Sequence, residues 1–470
     1  MEVCVDLAGN RRRFGKNESP WVSVFNLCNA AIGAGVLSFP YGFRRTGIVG
    51  GLFFTGIIWV IEVFALCLLV RVTEKYSSQS YQQLVFSVLG SKMAVITSVT
   101  MITFLVGSMI SYLMITGDVF APVFAELFGE TSAFADRRVV ILLFTIMLIL
   151  PHALKTTFMA LYFSSVISVA MLIYLTVVLV TIGAKGLIAN GFPSDILMWE
   201  SGRRAFIIID IVVFAFQCHI QVVPIFAELA EHPSPFFGDE KGLLEERLLD
   251  EEVIAHISSR QRSERVKRMD GVIFTSMSLC VVCYCLVGLF GYLIFPDVES
   301  DVLKSFGDNN GFLKFARIGM AVVAMVCYPV QSHPARSILD DFVKAFMKAP
   351  VAAFSVVRQT LLTLLLAGCT LTVALLTNDV GTVFSVLASS GGVMVVFIIP
   401  GLLLVRGIHS APVGYTDHTL VAVEGYTRRT RTTTQKFVQI VGGTLMLALG
   451  SLTYIATCYV AATGMESDSD

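Results

Sequence analysis

Two short stretches of this sequence put polar and conformationally free residues where their neighbours are nearly all hydrocarbon. The first is Asn29-Ala-Ala-Ile-Gly33-Ala34-Gly35-Val-Leu-Ser-Phe-Pro40, with an amide, two glycines and a proline inside one apolar run. A chain without Cβ atoms at Gly33 and Gly35 is free to leave the helix there. N–H groups freed at the start of a resumed helix can hold a carboxylate, and carbonyls freed from the same turn can hold a cation. The same small residues also suit close helix packing. Asn29 offers its carbonyl oxygen to an ion or substrate, or a hydrogen bond to a neighbouring helix. The second stretch is Phe214-Ala-Phe-Gln217-Cys218-His219-Ile-Gln221-Val-Val-Pro224. His219 can relay a proton, bond a substrate carboxylate or side chain, or serve structurally against a backbone carbonyl. Glu62 lies deep in another apolar run, and Asp118 and Asp210 lie toward the outer ends of theirs. An unpartnered carboxylate in such a place suits ion coupling.

The elements that must position these residues are membrane helices. Of 470 residues, 55% are hydrophobic and 15% charged, and the mean hydropathy is +0.76. Apolar runs of roughly 20 residues, the length that crosses a hydrocarbon core of about 30 Å, recur about eleven times. They fall near 20–42, 47–70, 91–120, 138–154, 157–183, 205–229, 270–295, 312–333, 352–377, 380–404 and 436–462. The two interrupted stretches occupy the first and sixth runs, at corresponding places in two halves of five. Matched broken helices of this kind mark a transporter built from inverted repeats.

Residues 1–19 are polar and include Arg11, Arg12, Arg13 and Lys16, which predicts a cytosolic N-terminal tail and a retained first span. Counting onward places most of the 34 Lys and Arg on the same face. The positive-inside rule then predicts an odd number of spans, with the C-terminus outside. One transmembrane domain, 20–462, is followed by a short acidic tail, 463–470. The segment 231–268 reads as a long cytosolic loop between the halves, with Leu243, Leu244, Leu248 and Leu249 at the spacing of an amphipathic helix or else in a solvated linker. Asp239-Glu-Lys-Gly-Leu243-Leu244 fits an acidic dileucine sorting signal. Asn17-Glu18-Ser19 is a sequon on the predicted cytosolic side and is expected to be unused. The net charge of −1 carries no basic excess for nucleic acid. Of the ten Cys, all but Cys4 fall in apolar segments without metal-ligand spacing, and they read as small buried hydrophobes. The cytosolic segments hold no HExxH, GxSxG or nucleotide loop, so an enzyme is not expected.

The sequence resembles the amino acid/auxin permease superfamily, within it the sodium-coupled neutral amino acid transporters and the related vacuolar amino acid transporters. The resemblance rests on Ser23–Leu37, on Phe214–Leu229, on Tyr112-Leu-Met-Ile-Thr-Gly117-Asp118 and on Tyr328-Pro329-Val-Gln-Ser-His-Pro334-Ala-Arg336. It implies an all-α leucine-transporter-like fold, a five-plus-five inverted repeat with helices 1 and 6 broken. It also implies that Asn29 and the backbone of Gly33, Ala34 and Gly35 serve substrate and ion, with Phe216, Gln217 and His219 forming the opposing substrate wall. Sodium, where the family uses it, lies between helices 1 and 8. Sodium-coupled members carry a Thr just before the proline matching Pro329, whereas this chain has Ala324-Met-Val-Cys327-Tyr328. Its segment 184–204 is also short and lacks the Cys of those members' outer loop. Both departures lean toward proton-linked or vacuolar relatives. Asn29, Cys327 and Glu62 are the ion-coupling candidates.

The expected function is secondary active transport of amino acids, neutral ones by resemblance, coupled to a proton or sodium gradient, with no cofactor and no structural metal. The expected setting is a monomer in the plasma membrane or in a vacuolar or lysosomal membrane. The alternative is an amino acid sensor that uses the same site without net transport.

Overall fold

In hydrocarbon a chain must satisfy its own backbone, and helix does so within each segment. The computed structural model describes residues 3–5, 11–13, 20–154, 159–200, 207–229, 251–306, 310–347, 356–377, 391–407, 440–451 and 453–455. A short antiparallel pair, β1 (Val3–Val5) and β2 (Arg11–Arg13), precedes the helices. The first half holds α1 (Pro20–Ala31), α2 (Phe39–Thr46), α3 (Ile48–Tyr76), α4 (Tyr81–Leu89), α5 (Ser91–Phe128), α6 (Arg137–Phe144), α7 (Leu150–Ala153) and α8 (Met159–Asn190). The second half holds α9 (Ile207–Ala215), α10 (His219–Glu228), α11 (Glu251–Ile294), α12 (Gly311–Met347), α13 (Val356–Leu376) and α14 (Ile399–Gly407), with a last apolar helix at Ile440–Ile455.

Among the described residues, seven helical segments are long and apolar enough to cross a membrane, and α1 with α2, bent by 53°, makes an eighth. Three shorter apolar stretches, 137–153, Met394–Arg406 and Ile440–Ile455, stand where the sequence predicts the fourth, tenth and eleventh spans. The fourth is interrupted by a π turn at Thr145–Ile149, and parts of the tenth and eleventh predicted runs fall outside the described residues.

Side-chain patterning turns each helix to face lipid. On α3, Phe53, Ile57, Val60 and Phe64 recur at helical spacing and are exposed, while Ile58, Glu62, Ala65, Leu66 and Leu69 on the other face are buried. The apolar stripe toward lipid thus aims Glu62 at the protein interior. The turn from α2 into α3 is made by Gly47, whose φ of +80° is in the left-handed region, and a Cβ there would sit 2.5 Å from the backbone at Met198 and Trp199. That close approach lets Ile48 and Val49 donate to Leu197 and Met198 carbonyls at 3.1 and 2.9 Å, sealing the loop 192–200 over this end of the helices.

Within the segment 231–268, expected as a loop between the halves, the second part is helical. Residues 251–268 belong to α11, which runs 44 residues, about 66 Å, before ending at Ile294. No Gly or Pro interrupts 251–270, and Glu264 pairs with Lys267 one turn on at 3.2 Å, so nothing in the sequence stops the helix at the membrane surface. The remainder, 230–250, lies outside the described residues, and with it the leucines and the dileucine signal. So do the sequon, the tail 463–470, residues 408–439 and all of 1–19 apart from the β pair. The cysteines divide: Cys28, Cys218, Cys280, Cys283 and Cys327 are buried as expected, but Cys369 is exposed on α13, whose exposed neighbours Leu361, Leu364 and Leu365 mark its lipid face.

Candidate functional site

Helix 1 breaks after Ala31. Gly33 is extended, and the chain resumes as a 3-10 turn, Ala34–Ser38, that runs directly into α2. The first N–H groups of the resumed helix have no carbonyl of a preceding turn to bond. Helix 6 breaks across Phe216, Gln217 and Cys218, between α9 and α10. Both breaks fall where the sequence predicts them, and they face each other. A Cβ at Gly35 would lie 2.8 Å from the Cα and Cβ of Ala215, so the two chains touch backbone to backbone. A Cβ at Gly33 would meet the Tyr112 hydroxyl of α5 at 2.9 Å.

The carbonyls released at the first break are taken by protein donors. Tyr284 of α11 donates its hydroxyl to the Ala31 carbonyl at 2.9 Å and lies 3.4 Å from the Ala215 carbonyl of the other break. Cys327 of α12 places its thiol 3.3 Å from both the Ile32 carbonyl and Asn29 Oδ1, with Ser168 of α8 at 4.0 Å. One hydroxyl and one thiol therefore tie α11 and α12 to the unwound turn.

Three predicted residues carry unspent bonding capacity. Gln217, 2% exposed, has no partner for either amide atom. His219, which opens α10, has none for either ring nitrogen, and Glu62 of α3 has none for either carboxylate oxygen. The closest approach between these last two is His219 Nδ1 to Glu62 Oε2 at 3.6 Å, with both side chains wholly buried. Phe216 packs its ring 5.1 Å from that of Tyr284, walling the second break. Asp118 and Asp210 do not join the site: Asp118 pairs with Arg137 near the outer ends of α5 and α6, and Asp210 lies on α9 above the break.

Beneath the breaks, on the face where α1 begins, a cavity of about 320 Å³ opens between α1, α10 and α12. That volume is at the small end of ligand pockets, which run from about 300 to 1,000 Å³. Asn29 is the only predicted site residue in its wall; Gly33 to Gly35 and Phe216 to His219 lie beyond it. Gln221 and Arg336 also line it, with Asp340 toward its mouth. Gln221 Nε2 donates to Gln331 Oε1 at 2.9 Å, closing α10 against α12 at the cavity's inner end. Gln331 in turn lies within hydrogen-bonding reach of the Tyr112 hydroxyl, so polar groups run from the cavity to Gly33. Arg336, 4% exposed, donates to the Ala153 carbonyl and Thr363 Oγ1 at 3.4 and 3.1 Å.

The opposite side is closed. Cβ positions at Gly42 and Gly291 would fall 2.5 Å or less from Ile208 and Pro40, packing α2 on α9 and α11. Arg44 meets Asp297 at 3.6 Å and the Val298 carbonyl at 3.1 Å. Asp301 caps the adjoining 3-10 turn at Leu303 N, and burial pushes its carboxyl up to about 6.

Tyr284, Tyr112, Gln331 and Arg336 were not singled out as site residues from the sequence. A tyrosine in mid-span, away from the interfacial belts where that residue usually lies, is the signal that marks Tyr284 and Tyr112.

Two broken helices, touching at mid-membrane above a cavity open to one side, define an alternating-access secondary transporter. The solved structure of MhsT in complex with L-phenylalanine shares this fold with a TM-score of 0.59, at 12% identity over 94% of this chain and all of that one. The chain belongs to the transmembrane amino acid transporter protein family, which residues 16–239 and 252–413 match. Among its relatives is sodium-coupled neutral amino acid transporter 7 of Bos taurus, 25% identical over 404 residues, 83% of this chain and 80% of that protein. Solute carrier family 38 member 8 of Homo sapiens is 25% identical over 413 residues, 83% of this chain and 86% of that protein. The protein is accordingly a multi-pass membrane transporter of amino acids and not an enzyme.

Proposed function

We propose that the protein carries neutral amino acids in symport with protons, the substrate lying between the two breaks. The N–H groups of Ala34 and Gly35, joined by that of Gly33 once it leaves the Ala31 carbonyl it bonds at 2.8 Å, receive its carboxylate, and Asn29, Phe216, Gln217 and His219 surround the rest. The cavity beneath is the cytosolic vestibule, reached when the Gln221–Gln331 bond parts. The observation that carries this reading is the contact of the two breaks directly above a one-sided cavity. A neutral substrate agrees with the names of the relatives, and with walls that hold no unpaired Lys, Arg or Asp at the breaks among the described residues.

For the ion, the relatives' names say sodium. The Ala31 and Ile32 carbonyls and Asn29 Oδ1, the oxygens that helix 1 would offer a cation, have the Gly33 N–H, the Tyr284 hydroxyl and the Cys327 thiol as their donors. A thiol is a poor ligand for a hard cation, which prefers oxygen. The proton is thus the favoured ion, and the protein is taken to work as a monomer in the plasma membrane or in a vacuolar or lysosomal membrane.

The test is uptake of radiolabelled neutral amino acids into liposomes holding the purified protein, with a proton gradient and a sodium gradient imposed separately. Accumulation under the proton gradient in sodium-free medium is expected. Accumulation under sodium alone would overturn the choice of ion, and saturable binding without accumulation under either would indicate a sensor.

A further inference from the structure

We infer that Glu62 and His219 together form the seat of the transported proton, a site that adjoins the substrate's through His219 and one that must hold that proton while the protein is closed. This rests on the reading of the protein as a proton symporter. The two side chains come from different moving parts: Glu62 from mid-length of α3, His219 from the first turn of the half-helix α10. They lie 3.6 Å apart, both wholly buried, and no polar side-chain atom of either has a hydrogen-bond partner among the described residues.

The surroundings leave the pair electrostatically alone. Cys218, beside His219, is wholly buried and carries no charge as a thiol. On the helices packed against α10 and α3, Cys280 and Cys283 of α11 are buried thiols, and the following ionisable groups are already engaged. Cys28 of α1 points to the Ser276 carbonyl at 3.7 Å, Tyr81 of α4 donates to Val395 O at 2.9 Å, and Tyr284 of α11 spans the breaks. Arg71 and Asp270 pair with each other at 2.8 Å further along α3 and α11. Asp210 lies on α9 toward the outer end, and the π turn Met394–Ile398 carries no ionisable residue.

Charge accounting then fixes what the pair does. With one proton between them the groups are neutral overall, as acid and imidazole or as carboxylate and imidazolium. With none, a carboxylate would stand in apolar surroundings facing only the N–H of a neutral imidazole 3.6 Å away, too far for a good hydrogen bond, at a cost of several kcal/mol. The closed interior therefore admits the loaded pair and excludes the empty one, and release waits until water arrives. The route for that water is at hand, because Ile220 and Gln221, the residues following His219, line the cavity. Movement of α10 that opens the Gln221–Gln331 bond also carries His219 away from Glu62. The proton leaves with that movement, and the same movement frees the substrate.

The experiment compares wild type with Glu62→Gln in liposomes, using a neutral amino acid that the wild type transports. Two readouts are taken: exchange of labelled for unlabelled substrate without any gradient, and accumulation under a pH gradient. Glu62→Gln, permanently neutral and of the same shape, is expected to exchange substrate yet lose at least about 10-fold in gradient-driven accumulation. If the wild type itself ignores the pH gradient, the symport reading fails. If the wild type responds and Glu62→Gln accumulates within about twofold of it, the symport reading stands and the assignment of the pair falls. Should Glu62→Gln not assemble, two measurements decide. Dicyclohexylcarbodiimide, which reacts with protonated carboxyls in apolar sites, should modify Glu62 of the wild type at mildly acid pH. His219→Gln should move the pH midpoint of accumulation by about one unit or more, the size expected on removing a close ionisable partner. Absence of the Glu62 adduct, or an unmoved midpoint, would overturn the proposal.

Discussion

Gly35→Ala is expected to cut amino acid uptake by about 10- to 100-fold while the protein still inserts in the membrane. The added methyl would stand 2.8 Å from both Ala215 Cα and Cβ and 3.0 Å from the Phe214 ring, where carbon atoms settle at about 3.5–4.0 Å. The obstruction is backbone, so no rotamer change relieves it and the two breaks must part. Overpacking of this kind costs about 1–3 kcal/mol, and each 1.4 kcal/mol is about tenfold in an equilibrium. The penalty falls on the state in which the breaks meet, through which every transport cycle passes. Gly56→Ala, with nothing within 4 Å, is the matched control and should leave uptake unchanged. The check is uptake normalised to the amount of protein in the membrane; normal uptake by Gly35→Ala would mean that the breaks need not meet.

The second large effect is expected from Tyr284→Phe, which removes one oxygen and keeps the ring that packs against Phe39 and Phe216 at 5.0 and 5.1 Å. It leaves the Ala31 carbonyl with only the Gly33 N–H, 2.8 Å away, and the Ala215 carbonyl loses the hydroxyl 3.4 Å away. A buried acceptor stripped of its partner costs about 1–3 kcal/mol. Uptake should fall by at least about tenfold and the thermal midpoint of the purified protein should drop. If the carbonyls instead take up a cation once the hydroxyl is gone, sodium will raise the midpoint of Tyr284→Phe and leave that of the wild type unmoved. A variant with wild-type midpoint and uptake would show that the hydroxyl does not hold the breaks.

Much of this arrangement was legible in the sequence because polarity inside hydrocarbon is expensive and therefore conspicuous. Gly33 and Gly35 beside Asn29, and Gln217 beside His219, could not belong to passive anchors, and the breaks lie at those residues. The stripe Phe53, Ile57, Val60 and Phe64 likewise fixes which way Glu62 faces. What could not be read is which groups meet. Nothing local to Glu62 names His219 as its neighbour, because the pairing depends on how the two halves pack. Tyr284 sits between Cys283 and Cys285 in a run that scores simply as apolar, and its hydroxyl gains meaning only when two unwound turns converge on it. Cys327 reads in sequence as a missing hydroxyl, whereas in the fold its thiol is a donor to the turn it faces. The helix through 251–268 was missed for a different reason: charge density suggests a solvated loop, but a run without Gly or Pro continues a helix already nucleated by the span that follows.

The measurement that bears most directly on the account is the structure of the protein with a transported neutral amino acid bound. The carboxylate is predicted at the N–H groups of Gly33 to Gly35, within reach of the Tyr112 hydroxyl, with the side chain against Phe216. A substrate found in the lower cavity, its carboxylate on Arg336 and the two breaks still in contact above it, would contradict the account.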